Sequence, residues 1–106
     1  MARNINVVDF ATLTVTTAAT VVSTLGTPPT GAKSYVGVLE GNDIRARGDG
    51  TAPTTGAGVL VVNGSEIIFD QGEFENMQLI NKNTTASAVI NGHFYNVEAS
   101  VFEGAN

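Results

Sequence analysis

The chain has no cysteine and no tryptophan, a single histidine, and only 5 lysines and arginines among its 106 residues. Each shortage removes a class of function. Without cysteine there is neither a disulfide framework nor a thiolate metal site, and one histidine is too few for an imidazole-based zinc centre. No cofactor is expected. The basic residues are outnumbered by 10 acidic ones, for a formal charge of −5, and Arg3, Lys33 and Lys82 are scattered along the chain. Nucleic acid calls for a basic stripe that displaces counterions, so no nucleic-acid partner is expected. An acidic surface is equally unsuited to anionic membranes, and no apolar run nears the roughly 18 residues that cross a bilayer. No membrane partner is expected either. Met1-Ala2-Arg3-Asn4-Ile5-Asn6 lacks the apolar core of a secretion signal. Asn63-Gly64-Ser65 and Asn83-Thr84-Thr85 therefore read as turns rather than glycosylation acceptors, and synthesis in a reducing cytoplasm fits the composition.

Helical periodicity is missing too. No window sustains apolar residues at i, i+3, i+4 and i+7, whereas Val and Thr are the commonest residues and Gly follows at 12. β-Branched side chains suit a pleated, half-buried surface, and recurrent glycine marks turns. The pattern predicts one all-β domain over residues 1–106, an antiparallel β-sandwich or jelly-roll-like barrel of about 7–9 short strands. Strands are expected at Ile5–Phe10 (an arm or edge), Thr12–Thr16, Thr20–Leu25, Lys33–Glu40, Ile44–Arg47, Gly58–Val62, Glu66–Asp70, Met77–Asn81 and Ser87–Val97. Residues 1–9 are candidates for an extended N-terminal arm and 96–106 for a C-terminal tail, which alternates apolar and polar residues and fits either a further strand or an extended arm that adds to a neighbour's sheet.

Several details follow from side-chain alternation. Tyr35 and Leu39 should face one way and Val36 and Val38 the other, and Leu13 and Val15 should oppose Thr12, Thr14 and Thr16. Gly58–Val62 is apolar enough for a central strand, and Asn63-Gly64 is the strongest hairpin signal, with Glu66–Asp70 returning beside it. Gln71–Asn76 fits a single helical turn. Asn91-Gly92 also spells a hairpin turn, yet Ala88, Ile90, Gly92 and Phe94 alternate without a slip against Val89, Asn91, His93 and Tyr95. A continuous strand, with Gly92 at a close approach, accounts for both faces.

Candidates for chemistry are few. His93 has no cysteine to serve and no serine in a nucleophile elbow, so it reads as a surface or interface strand position. Glu73 and Glu75, near Asp70, read as a solvated acidic loop rather than a carboxylate pair flanking a sugar. Asp43, Asp49 and Asp70 lack calcium-loop spacing, and no phosphate-binding glycine motif opens a helix. Arg47-Gly48-Asp49 spells an adhesion tripeptide, but it overlaps a loop with its own backbone reasons for Gly and Asp. No enzyme activity is expected. Tyr35, Phe94, Tyr95 and Phe102 are the aromatics placed to anchor contacts. Core positions suit Tyr35 and Phe94, which leaves Tyr95 and Phe102 as candidate interface residues.

The informative stretch runs from Ile44 to Gly58. Gly48, Gly50 and Gly56 permit positive φ, Asp49 can bond back onto the chain, and Pro53 fixes its own φ. Arg45, followed by Asp49-Gly50-Thr51-Ala52-Pro53-Thr54 and the apolar strand Gly58–Val62, resembles a group of small tailed-bacteriophage proteins whose genes typically lie among head-structure genes. The order of Ala11–Thr17, Tyr35–Glu40, Arg45, Asp49–Thr54 and Ala88–Tyr95 is similar to theirs, over roughly residues 10–95. Gly92 departs from the pattern, where the family more often has a β-branched or apolar residue. The resemblance implies a virion structural protein, made in the host cytoplasm and carried on the capsid surface as a decoration or cement protein. Its implied partners are the major capsid protein and further copies of itself, as a trimer or dimer. Asp49, Gly50, Thr51, Ala52, Pro53 and Thr54 are then a structural loop without catalytic residues. A head–tail connector or tail component is the alternative within the virion. A carbohydrate-binding virion module ranks lower, since sugar platforms need exposed aromatics and this chain has no Trp and 2 Tyr.

Overall fold

The computed structural model describes residues 6–15, 24, 26–82 and 87–99. Among them the chain is all β, with seven strands: β1 (Val7–Val15), β2 (Ser34–Glu40), β3 (Ile44–Arg47), β4 (Val59–Val61), β5 (Glu66–Asp70), β6 (Gln78–Asn81) and β7 (Ala88–Tyr95). They form two antiparallel sheets, one ordered β1-β7-β2-β5 and the other β4-β3-β6. The sheets enclose one core that includes Tyr35, Leu39, Ile44, Phe69, Phe74, Leu79, Ile90 and Phe94. This is a small sandwich. Each sheet ends in edge strands, so the described strands close no barrel. The strand expected at Thr20–Leu25 lies largely outside the described residues, as do most of the expected arm and tail.

Alternation places the core as anticipated along β2 and β7. Tyr35 and Leu39 are fully buried while Val38 is exposed, and Ala88, Ile90, Gly92 and Phe94 all face inward. β7 runs unbroken through Asn91-Gly92, and Gly92 lies opposite Gly37 of β2. A Cβ on Gly92 would meet the Val36 carbonyl oxygen, with the Gly37 Cα at 2.6 Å and the Tyr35 Cζ at 2.8 Å. The missing side chains make room for the Tyr35 ring, whose hydroxyl donates to the Ala11 carbonyl of β1 at 2.9 Å. That ring is stacked on Phe69 and meets Phe94 edge-on at 5.0 Å. Burial pushes the Tyr35 phenol up to about 12, because the phenolate would have to form away from water.

The structure corrects three expectations. Ile5–Phe10 and Thr12–Thr16 are not separate strands; Val7–Val15 is one, with a bulge between Val7 and Asp9. The extra residue shifts the phase, so Val8 and then Ala11 and Leu13 pack on the core, which breaks strict alternation. Secondly, Gly58–Val62 does not supply a central strand. Among the described strands β4 is an edge, with Val59 69% and Leu60 42% exposed. Thirdly, Asn63-Gly64 closes no hairpin, since β4 pairs with β3 and β5 with β2. The turn is instead a corner between the sheets. Gly64 takes a φ of 93° and donates its amide to Leu39 O at 2.8 Å, and Leu39 donates back to Ser65 O at 3.0 Å. Asn63 donates its amide to Asp43 Oδ1 at 2.8 Å, tying this corner to the other one at Gly41–Asp43.

Gln71–Asn76 forms the expected turn. The Met77 amide bonds Glu73 O at 2.9 Å, and the carboxylates of Asp70 and Glu73 accept from the amides of Gly72 and Asp70. Its effect is to turn Phe74 into the core, edge-on to Phe94 at 5.3 Å.

Candidate interaction surface

The loop that joins β3 to β4 is folded by side chains at its own base. Arg45 and Arg47 alternate with buried Ile44 and Ala46, so both guanidinium groups emerge from β3 away from the core. Arg45 reaches over the loop, donating Nε to Thr55 O at 3.2 Å and Nη1 to Gly58 O at 3.3 Å. Arg47 forms a two-point clasp with Asp49, Nε to Oδ1 at 3.0 Å and Nη2 to Oδ2 at 2.5 Å. Asp49 also accepts the Thr51 amide at 3.3 Å. These donors hold the Asp49 carboxyl down at about 2, the Arg47 bond first and the Thr51 amide next, and the same bond raises the Arg47 guanidinium.

Beyond the clasp, Pro53 is buried and Thr54 and Ala57 exchange backbone bonds at 2.8 and 3.2 Å, which makes Thr55-Gly56 a tight tip. Gly58 is required at the return. Its φ is 132°, and a Cβ there would stand 3.2 Å from both Ala46 O and Pro53 Cβ. Gly50, Thr51, Ala52, Thr54, Thr55, Gly56 and Ala57 are left exposed on a braced scaffold. Within the Arg47-Gly48-Asp49 tripeptide the two charges are spent on each other.

Beside the loop the sandwich is open. Among the described strands β4 and β5 are edges of opposite sheets, and an apolar cleft of about 580 Å³ separates them. Val59, Val61, Ile67, Phe69 and Met77 line it, and Arg47, Gly48 and Asp49 border it. Sequence reasoning missed this cleft. Its only signal was the run Val59-Leu60-Val61-Val62, whose apolarity reads as burial although Val62 is 52% exposed.

The candidate interface residues lie elsewhere. Tyr95 ends β7 on the outer face of the four-stranded sheet, half-buried, with its ring 6.2 Å from His93. His93 is exposed as expected and meets Phe10 edge-on at 5.3 Å. By register, Phe10, His93, Val36 and Ile68 make one row across all four strands. Phe10, 54% exposed, gives that row its aromatic end. Phe102 lies outside the described residues. Among the described residues no three His, Asp or Glu side chains are grouped to hold a metal, and no helix is long and apolar enough to cross a membrane. No family model, curated protein or solved structure matches the chain.

Proposed function

We propose that this chain is a bacteriophage structural protein that binds the outside of the head shell and stabilises it. The observation that carries the reading is the union of Arg45 with the loop that follows. Arg45 and Asp49–Thr54 are the residues on which the phage-protein resemblance rests. Here they form one physical unit, in which Arg45 holds the loop's return at Thr55 and Gly58 while Asp49 secures its start. These bonds give the loop a fixed shape. A loop of fixed shape with exposed Thr and Gly residues suits docking on a regular lattice of capsid subunits, where low ordering cost favours binding.

Stabilisation of the shell follows from mass action. A protein that binds only the assembled lattice lowers its free energy, by about 2.7 kcal/mol per site at a free concentration about 100 times the dissociation constant. Several weak contacts from an oligomer sum in the same way. Copies arranged on a local symmetry axis of the shell, as a trimer or dimer, would engage it at several points at once.

The test is to add the purified protein to undecorated, expanded phage heads and to follow occupancy by co-sedimentation and shell survival on heating. Saturable binding with a later heat transition is expected, and Arg45→Ala should weaken it by freeing the loop. A protein that leaves the heads bare overturns the reading and moves it to a connector or tail component. Specific glycan binding without affinity for heads would support the carbohydrate module instead.

A further inference from the structure

Asparagine is followed by glycine at Asn63-Gly64 and at Asn91-Gly92, and the structure holds the two pairs in opposite ways. Such a pair is prone to lose its side-chain amide, because a following residue without Cβ lets its backbone nitrogen approach the carboxamide carbon. In β7 that approach is blocked. The Asn91 carboxamide accepts from Thr12 Oγ1 at 2.7 Å and donates to Glu40 Oε2 at 3.3 Å. Gly92 is paired with β1 on one side and β2 on the other, with no room even for a methyl group. At the corner after β4 the same pair stands in the open. Asn63 and Gly64 are both exposed, and apart from its chain neighbours no atom would lie within 4 Å of a Cβ on Gly64. Among the described residues the Asn63 carboxamide makes no hydrogen bond. The Gly64 nitrogen is held back by its bond to Leu39 O at 2.8 Å, and the bond from Asn63 N to Asp43 Oδ1 at 2.8 Å steadies the same corner.

We propose that Asn63 is a modification site, where local opening of this corner lets the chain convert asparagine to aspartate and isoaspartate without an enzyme. Opening a solvated corner costs less than opening a central strand, so the reaction proceeds in the folded protein at Asn63 and not at Asn91. Once the Gly64 nitrogen leaves Leu39 O and gives its proton to hydroxide, it attacks Asn63 Cγ. The N–Cγ bond forms, the Cγ–Nδ2 bond breaks, and Nδ2 departs as ammonia with a proton taken from water. Water then adds to either carbonyl of the five-membered imide. Opening at Cγ gives aspartate, and opening at the α-carbonyl gives isoaspartate, whose main chain runs through Cβ. Water is consumed, ammonia is released, and nothing is oxidised or reduced.

Either product puts a new carboxylate on the residue whose amide is bonded to the Asp43 carboxylate. Like charges brought together there weaken the tie between the two corners, so the change loosens the very contacts that delayed it. With ammonia lost to solvent, the step runs one way. The site needs neither a head shell nor a second copy of the chain, so its failure leaves the head-binding reading standing.

The two pairs serve as each other's control. The full chain is incubated at mildly alkaline pH, folded in buffer and unfolded in guanidinium chloride, and peptide mapping by mass spectrometry follows the Asn, Asp and isoAsp forms at both positions. Unfolded, Asn63 and Asn91 should convert at similar rates. Folding should slow Asn91 at least about tenfold more than Asn63, since the two report openings of different cost. Asp43→Ala removes the acceptor for Asn63 N and should speed conversion at Asn63 by about threefold or more while leaving Asn91 unchanged. Folding that protects Asn63 as strongly as Asn91 overturns the proposal. So does an Asp43→Ala protein whose Asn63 converts no faster than in the unaltered chain.

Discussion

The two long sides of the sandwich are finished in opposite ways. On one side β1 and β6 meet, and fully buried Asn81 of β6 donates Nδ2 to the Val15 carbonyl of β1 at 3.3 Å, linking the sheets. Tyr35 adds a second tie to β1 through Ala11. On the other side β5 and β4 stay apart, and no hydrogen bond described joins them across a cleft walled by valine, isoleucine and phenylalanine. The closed side has polar groups satisfied inside the domain, as buried donors require. The open side has apolar surface left over. One side is tied within the single chain, and the other leaves apolar side chains uncovered among the described residues.

The largest expected effect lies on the closed side. Gly92→Ala puts a methyl group where the Tyr35 ring and the Val36 carbonyl stand, so either the ring leaves Ala11 or β7 separates from β2. Urea denaturation should show a loss of about 1–3 kcal/mol, as for other overpacked cores. An unchanged midpoint would mean that the glycine pair is not needed for the ring. Asn81→Ala should come next, at about 1–2 kcal/mol, by removing the link and leaving the Val15 carbonyl short of a donor. On the open side, Val59→Thr keeps the β-branch and should alter single-chain stability by less than about 0.5 kcal/mol. A larger loss would mean that the cleft closes within one chain.

The smallest expected effect is confined to the loop. Asp49 has a depressed folded-state value, so what the clasp contributes is present above the ordinary carboxyl value of 3.8 and is lost as pH falls through about 2. In Arg47→Gln the carboxyl resonance of Asp49 should titrate nearer its ordinary value, with a drop in the thermal midpoint at pH 7 smaller than that of Gly92→Ala or Asn81→Ala. A midpoint still near 2 would assign the shift to the Thr51 amide instead.

The fold class and the inward faces were legible because they depend on local chemistry. Tyr35, Leu39, Ile90 and Phe94 announce themselves by period-2 alternation, and Gly92 reads as a close approach because its neighbours never change phase. Strand partnership was not legible. Asn63-Gly64 encodes a reversal, but the bonds that choose the partner, Gly64 to Leu39 and Asn63 to Asp43, join residues more than 15 apart in sequence. The bulge in β1 hid one strand as two by breaking the very alternation used to find it. At the candidate surface, the loop showed in its Gly, Asp and Pro content, whereas the cleft did not. An apolar run says only that water is disfavoured, and a partner can exclude water as well as a core can.

The corners at Gly41–Asp43 and Asn63–Gly64 have a consequence for how the molecule is made. Because the chain changes sheets at both, neither sheet is built from a continuous stretch of sequence. A cut at Thr55-Gly56 would leave β1, β2 and β3 on one piece and β4 to β7 on the other, each piece holding strands of both sheets. Neither could complete a layer alone. The pairing of β1 with β7 spans most of the chain and cannot form until β7 has been synthesised, the kind of long-range contact whose loop-closure cost slows folding.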